Sequence, residues 1–474
     1  MSDRRQHFVN GAWVDPLDGT PFDVIDPATE DVIDQIILGG RADVDRAVAA
    51  ASAAWAEWRT ATVNERVGML SAAIDVYVER VEEFAWAMTN EMGAPITYSR
   101  ELQAPCGDGH LQSTLDALQA HVFERPTLRG GSMLVDEPIG VCGLITPWNW
   151  PVNQVVAKVA PALAAGCTMV LKPSEYSPLS AHIFAEVLAE AGVPAGVFNL
   201  VQGDGAGVGS VLVNHPDVDM VSFTGSTRAG IAISKAAANT VKRVTLELGG
   251  KSPNLLFADA DLDAAVSWSV AGCFDNSGQT CDAPTRLLVE RSVYDEVVER
   301  VAAAAAEVAV GDPKQEGPHL GPLVNERQWH RVQEMISIGV QEDNRLIVGG
   351  LGRPGGLDRG FFVRPTVFAD VSNEQQIARR EIFGPVLAVM AFDTEDDAIE
   401  IANDTPYGLG AFVQTGDLER GQRVARALRS GTVAINGALA DYDAPFGGYK
   451  QSGNGREQGP IGLQEYLETK VITS

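Results

Sequence analysis

Residues 168–201 read TMVLKPSEYSPLSAHIFAEVLAEAGVPAGVFNLV, and their apolar pattern predicts strand over 168–171, helix over 179–191 and strand over 197–201. The alternation continues on both sides. A helix over 152–165 precedes it, and helix 206–213, strand 220–223, helix 229–238 and strand 243–247 follow. Strands and helices alternating at this period describe a parallel, doubly wound α/β sheet, which binds ligands beyond the carboxyl ends of its strands. Lys172, Ser174 and Glu175 fall just past one strand, and Thr224, Gly225 and Ser226 just past another. A lysine and a glutamate there can hold ribose hydroxyls, while Gly225 and Ser226 at a helix start can present amides to a pyrophosphate. Residues 203–209, GDGAGVG, satisfy GxGxxG in no frame, so a dinucleotide would need a nonstandard phosphate grip.

A second α/β run covers strand 285–289, helices 293–308 and 326–340 and strand 387–392, which gives two lobes meeting at a cleft. Ahead of both lobes, residues 41–58, 64–92 and 99–122 carry helical spacing, with Cys106 and His110 in the third helix, where packing is the ordinary role of each. Short strands over 8–14 suggest an N-terminal flap. Residues 126–138, PTLRGGSMLVDEP, suggest a protruding hairpin arm, and the tail over 463–473 is extended and able to pair with it.

Composition narrows the possibilities. A chain of 474 residues exceeds what one core usually serves, so two or three domains are expected. The net charge of −27 argues against nucleic acid and anionic membranes as partners. Five cysteines without CxxC spacing suggest neither a disulfide framework nor a zinc site, and seven scattered histidines without HxxxH or HxH spacing suggest no catalytic metal. The start, MSDRRQHFVNGAW, lacks an apolar signal core, and the apolar run 155–171 is broken by Lys158 and Pro161. A cytoplasmic protein in a reducing compartment is expected.

Chemistry concentrates in residues 276–286, NSGQTCDAPTR. Cys281 is a candidate nucleophile, and a thiol reacts best as thiolate in an electropositive, partly open site. An isolated cysteine is more often a buried small hydrophobe. Gly278 and Thr280 would let the backbone approach a substrate, with the Cys281 amide facing an oxyanion. Asn149, inside TPWNWP at 146–151, is a neutral donor suited to the same oxyanion, or else part of a structural turn. Glu247, on the Gly-Gly turn ELGGKSP, can act as a general base, or simply cap or face solvent. Glu381 and Phe383 in EIFGPV can meet a sugar hydroxyl and a planar ring. Residues 445–457, PFGGYKQSGNGRE, suggest a mobile loop or cofactor lid, or a solvated linker.

TPWNWP, KPSEYSP, FTGS, ELGGKSP, GQTC, EIFGPV, NDTPYGL and PFGGYKQSG stand in this order along nearly the whole chain. Together they resemble the NAD(P)-dependent aldehyde dehydrogenase superfamily. The resemblance implies an NAD-binding domain at 1–122 and 141–250 with an unusual Rossmann fold, a catalytic domain at 251–444, and a small β oligomerisation arm at 123–140 and 458–474. It implies a homodimer or homotetramer. It assigns Cys281 as nucleophile, Glu247 as general base and Asn149 as oxyanion donor. Its cofactor contacts fall on Thr146, Pro147, Trp148, Lys172, Ser174, Glu175, Gly205, Phe223, Gly225, Ser226, Leu248, Glu381 and Phe383. Trp150 stands where many relatives carry Phe or Tyr, which narrows the substrate channel.

The expected reaction is oxidation of an aldehyde to a carboxylic acid through a cysteine thiohemiacetal and thioester. The alternatives are a coenzyme A acylating enzyme and a catalytically silent structural relative. Keeping Glu247 favours hydrolysis of the thioester, and Glu175 near the adenine ribose would repel a 2'-phosphate, favouring NAD over NADP. No Arg or Lys occurs in GALADYDA at 437–444, and the one cation placed to border the entrance is Arg100, for which a surface role is the ordinary one. Apolar aliphatic or aromatic aldehydes are therefore expected ahead of longer ω-oxo acids.

Overall fold

The fold is described for residues 3–473 of a computed structural model. Its largest sheet has eight strands in the order Gly453–Asn454, Arg243–Leu248, Met220–Gly225, Val141–Ile145, Thr168–Lys172, Phe198–Leu200, His7–Val9, Ala12–Val14. The five central strands run parallel. Val141–Ile145 and Thr168–Lys172 are buried at every position, as strands covered on both faces must be. From Val141–Ile145 the chain first winds outward to Thr168–Lys172 and Phe198–Leu200. It then returns to the opposite side for Met220–Gly225 and Arg243–Leu248. The order thus reverses between Val141–Ile145 and Met220–Gly225.

The second sheet has seven strands, Arg345–Val348, Thr366–Ala369, Val386–Phe392, Arg286–Glu290, Pro253–Leu256, Gly410–Gln414 and Thr432–Ile435, parallel except for the first pair. A smaller sheet pairs Leu467–Thr473 antiparallel with Ser132–Pro138, which pairs in turn with Glu124–Pro126. The expected pairing of arm and tail is present. No helix among the described residues is long and apolar enough to cross a membrane.

Several sequence expectations change in detail. The helix expected over 64–92 is two, Val63–Glu79 and Val81–Met92, broken at Arg80, whose guanidinium ties Glu83 and Glu186 across the junction. The third helix starts as a π-helical turn, Ser99–Gln103, before Pro105–Ala120. Pro105 has no N–H to give the preceding turn, and Ala104 N bonds Ser99 O at 2.9 Å, a five-residue step. Four glycines in 203–209 reduce the helix expected at 206–213 to a π turn, Gly205–Gly209, and a short helix, Ser210–Asn214. The supposed N-terminal flap is an integral edge of the large sheet. Residues 445–457 are not a free lid, because Gly453–Asn454 pairs with Arg243–Leu248 and Ser452 Oγ donates to Gly249 O at 2.8 Å. The tail begins with a helix, Gly459–Gln464, and only then becomes extended.

Candidate active site

A doubly wound sheet leaves a crevice where its winding reverses, outside the carboxyl ends of the two strands concerned. Here those ends are Ile145 and Gly225. A cleft opens there, lined by Pro147, Trp148 and Asn149 from one strand end and Thr224, Gly225 and Ser226 from the other. Ser226 is the N-cap of the helix Thr227–Ala237, its hydroxyl accepting from Ala229 N at 3.4 Å, so the free amides of that helix start face the cleft. The cleft runs on to Glu247, Cys281, Glu381 and Phe383, where the second sheet begins.

The chain reaches Cys281 through an unusual turn. After the helix Leu262–Phe274, three successive residues, Asn276, Ser277 and Gly278, adopt left-handed backbone with φ of 50°, 57° and 71°. For asparagine and serine that costs about 1–2 kcal/mol each. Buried hydrogen bonds hold the turn. Asn276 Nδ2 donates to Asn149 O at 2.8 Å, Ser277 Oγ to Gly321 O at 2.9 Å, and Gln279 Oε1 accepts from Val324 N at 3.0 Å. At Gly278 a Cβ would lie 2.2 Å from the Gly384 carbonyl carbon, and at Gly250 one would lie 2.5 Å from Cys281 O. Asn149, itself buried, donates one amide hydrogen to Gln279 O at 3.0 Å, leaving its second for a ligand. The Trp150 indole N–H reaches Thr280 Oγ1 at 3.2 Å.

The electrostatics around Cys281 differ from the electropositive setting expected of a reactive thiol. Burial pushes the thiol pKa well up, and the charges of Glu247 and Asp282 push it further. Glu247 is raised too, by burial first and then by Glu457, with Lys158 partly offsetting them. Both Glu247 oxygens are buried without a conventional hydrogen bond, and the Cys281 thiol is the donor beside them. The pair is built for a proton to move from sulfur to carboxylate rather than for a standing thiolate. Lys158 and Glu457 are residues the sequence reading did not single out. Lys158, fully buried, bonds Thr224 Oγ1 at 2.8 Å and pairs with Glu457, a carboxylate supplied by the Gly-rich strap. Behind Glu247 there is thus a chain of ionisable groups able to take up a proton.

Glu381 lies against the Gly-Gly turn. It accepts from Gly250 N at 3.2 Å, and a Cβ at Gly249 would sit 2.5 Å from its oxygens. Burial raises its carboxyl to about 7. Phe383, at φ 62°, meets Trp148 edge to face at 5.4 Å. The helix Glu326–Gln341 clamps this segment: Gln328 Nε2 donates to Phe383 O at 2.7 Å and an Arg331 guanidinium N–H to Glu381 O at 2.7 Å. Arg327 and Arg331 also line the cleft, local cations that the net charge conceals. Their i,i+4 spacing in NERQWHR was the available signal.

The remaining expected contacts stand near the cleft without lining it. Thr146 is buried, its N–H on Lys172 O at 3.1 Å, and Lys172 Nζ pairs with Glu175 at 3.1 Å. Ser174 Oγ accepts from the N–H of Tyr176, which does line the cleft. Phe223 lies beneath Gly225 and Leu248 beneath Gly230, while Gly205 is exposed at the start of its π turn.

A model of the aldehyde dehydrogenase family matches residues 13–472. The chain belongs to the aldehyde dehydrogenase family. It is 51% identical over 473 residues to a 3-succinoylsemialdehyde-pyridine dehydrogenase from Pseudomonas sp, covering 100% of this chain and 99% of that one. Its fold is similar, at a TM-score of 0.98 and 48% identity, to a Bartonella henselae aldehyde dehydrogenase, with 100% of both chains covered. A Pseudomonas syringae aldehyde dehydrogenase C, as a cysteine-to-alanine mutant complexed with NAD+ and octanal, matches at a TM-score of 0.98 and 51% identity over 99% of this chain and 97% of that one. The expected α/β aldehyde dehydrogenase architecture is borne out.

Proposed function

We propose that this aldehyde dehydrogenase oxidises an aldehyde to a carboxylic acid with NAD, through a covalent adduct on Cys281. The observation that carries the reading is the convergence of Cys281, Glu247 and Asn149 in one cleft with the phosphate-accepting helix start at Ser226. The pyrophosphate would rest on the amides at Gly225 and Ser226, the ribose hydroxyls on Lys172, Glu175 and Glu381, and the nicotinamide beside Phe383. Bound there, NAD supplies the hydride acceptor that turns a thiohemiacetal into a thioester. The protein does the rest. Glu247 takes the thiol proton as sulfur adds to the carbonyl carbon, and Asn149 Nδ2 with the Cys281 amide holds the oxyanion. Once that first proton has left the carboxylate, Glu247 removes a proton from water, whose oxygen attacks the thioester, and returns it to the leaving sulfur as the acid is released. Lys158 and Glu457 carry the proton away from the buried carboxylate.

Glu175 favours NAD over NADP, since it would stand against a 2'-phosphate. Apolar aliphatic and aryl-bearing aldehydes are the proposed substrates. Arg100, the cation a carboxylate-bearing substrate would need, is engaged by Glu82 at 2.6 Å and Glu316 at 2.7 Å. The octanal bound by the Pseudomonas syringae enzyme and the pyridine-bearing semialdehyde in the name of the Pseudomonas relative support that class. We assign 1–122 and 141–250 to the cofactor domain, 251–444 to the catalytic domain, and 123–140 with 458–474 to an arm joining a cytoplasmic homodimer or homotetramer. The test is NADH formation across an aldehyde panel, with and without coenzyme A, and identification of the product. Free acid without coenzyme A is expected, and turnover that requires coenzyme A would replace this reading with the acylating one.

A further inference from the structure

A helix start leaves four backbone positions whose N–H the helix itself does not use. At the helix Pro178–Glu190, which follows the strand Thr168–Lys172, all four are accounted for. Pro178 has no N–H, and Ser177 N donates to Ser174 O at 3.2 Å. The other two, Leu179 N and Ser180 N, both go to the carboxylate of Glu91, to Oε2 at 2.5 Å and to Oε1 at 3.1 Å. Ser180 Oγ adds a third bond, to Oε1 at 2.7 Å. Glu91 comes from another element, the last turn of the helix Val81–Met92, and is fully buried. The cap residue Ser177 makes no side-chain bond to its own helix start, so a distant carboxylate does the capping. Burial raises that carboxyl to about 7 against the pull of its three donors, and the dipole of the capped helix favours an anion there.

The helix start is one post of a short loop whose other post is the strand end at Lys172. Between them, Ser174 Oγ accepts from Tyr176 N at 3.2 Å, and Lys172 Nζ pairs with Glu175 at 3.1 Å. Tyr176 lines the cleft, with Phe22 packed edge to face on it at 5.8 Å. So short a span has little slack. If the helix start frays, Ser177 loses its place, and Ser174 and Glu175 lose theirs with it. The helix start at Ser226 turns its amides to the cleft, whereas this one commits them to a buried anchor and leaves ligand contact to the loop. We infer that Glu91 is a positioning residue that fixes the loop 172–177 for the adenosine half of the cofactor. The inference rests on the dehydrogenase reading above, which gives Lys172 and Glu175 to the ribose hydroxyls.

The test measures the Kd for NAD and for adenosine monophosphate, which carries the adenine ribose without the nicotinamide, by titration calorimetry. Glu91→Gln replaces one acceptor oxygen with an NH2 that faces a donor. A loop ordered for part of the time binds with an affinity reduced by that fraction, and saturating cofactor restores the ordered form. Both Kd values should therefore rise together by about tenfold, the cost of a lost helix cap. With saturating NAD, kcat and the KM for aldehyde should stay within about twofold. Ser180→Ala removes one donor of three and should raise both Kd values by about threefold. Unchanged Kd values in Glu91→Gln, a rise for NAD without one for adenosine monophosphate, or a kcat that falls as far as the affinity each overturn the inference. If Glu91→Gln does not fold, unchanged Kd values in Ser180→Ala overturn it. Failure of the unmodified protein to bind NAD overturns the dehydrogenase reading and the inference with it.

Discussion

The two sheets meet the cleft with opposite ends. The large sheet offers carboxyl ends, Ile145 and Gly225, and the chain leaves them through turns without a left-handed non-glycine residue at 146–149 or 224–226. The second sheet offers amino ends, with Ser252 leading into Pro253–Leu256, Thr285 into Arg286–Glu290 and Pro385 into Val386–Phe392. Here the backbone is forced: Asn276, Ser277 and Phe383 all have positive φ. A phosphate grip comes with the winding of a parallel sheet, since helix starts already point their amides at the crevice. A nucleophile does not, and its turn is held in place by buried hydrogen bonds that offset the strain.

If chemistry and cofactor grip are divided in this way, breaking one should spare the other. Cys281→Ala is expected to lower turnover by at least about a thousandfold. NAD affinity by titration calorimetry should stay within about twofold, because the phosphate grip lies on the other sheet. Loss of both together would mean that the two edges are not separable. Glu247→Gln comes next, slowing the steady state by about a hundredfold or more. Because Glu247 also takes the thiol proton, the first equivalent of NADH should form more slowly than in the unmodified protein and NADH formation should then stall, with an acyl group on Cys281 visible by mass spectrometry. An unslowed steady state would mean that water is activated by another group.

The same division explains what the sequence disclosed. Strand and helix alternation from 152 to 247 identified the large sheet and the positions just past its strands, because apolar periodicity is local. Cys281, Glu247 and Asn149 stood out by their turn-forming neighbours and by resemblance. Lys158 did not, since a lysine in an apolar helix reads as an interruption until Thr224 and Glu457 are found around it. Glu457 sits in a Gly-rich stretch that looked like a lid, and only its pairing with Arg243–Leu248 brings it behind Glu247. Glu91 gave no signal because its partners, Leu179 and Ser180, lie 88 and 89 positions away. The thiol's acidic surroundings also escaped, since burial and through-space charge are set by tertiary structure.

Glycine substitutions probe the backbone of each edge. Gly278→Ala puts a Cβ 2.2 Å from backbone at Gly384, with φ already 71°, and neither side can move without displacing the Cys281 turn. A Tm lower by several degrees and loss of most activity are expected. Gly225→Ala on the other edge has the far end of the Phe223 ring as its nearest neighbour, Cζ at 2.6 Å, and a side chain can swing aside through χ1 where backbone cannot. Its Tm loss should be under about half as large. Equal losses would show that the two edges are equally constrained. A smaller effect concerns the thiol itself. Because its pKa is raised, alkylation by iodoacetamide should be slow at neutral pH and climb with an inflection above the ordinary 9.0. Glu247→Gln removes a negative neighbour and should move that inflection down. An inflection below 9.0 in the unmodified protein would mean that the thiol is activated without Glu247.

The smallest expected effect tests whether the second sheet's lobe, beyond the ribose and nicotinamide contacts of Glu381 and Phe383, contributes to the phosphate grip. Arg331 is exposed at the cleft rim and bonds Glu381 O at 2.7 Å. At that exposure its attraction for a pyrophosphate is weakened by water and salt. Arg331→Ala should therefore raise the Kd for NAD by only about threefold at low salt, and the difference should shrink as ionic strength rises. A loss well beyond tenfold that persists at high salt would point to a direct, desolvated contact, and would place part of the phosphate grip on the edge assigned here to chemistry.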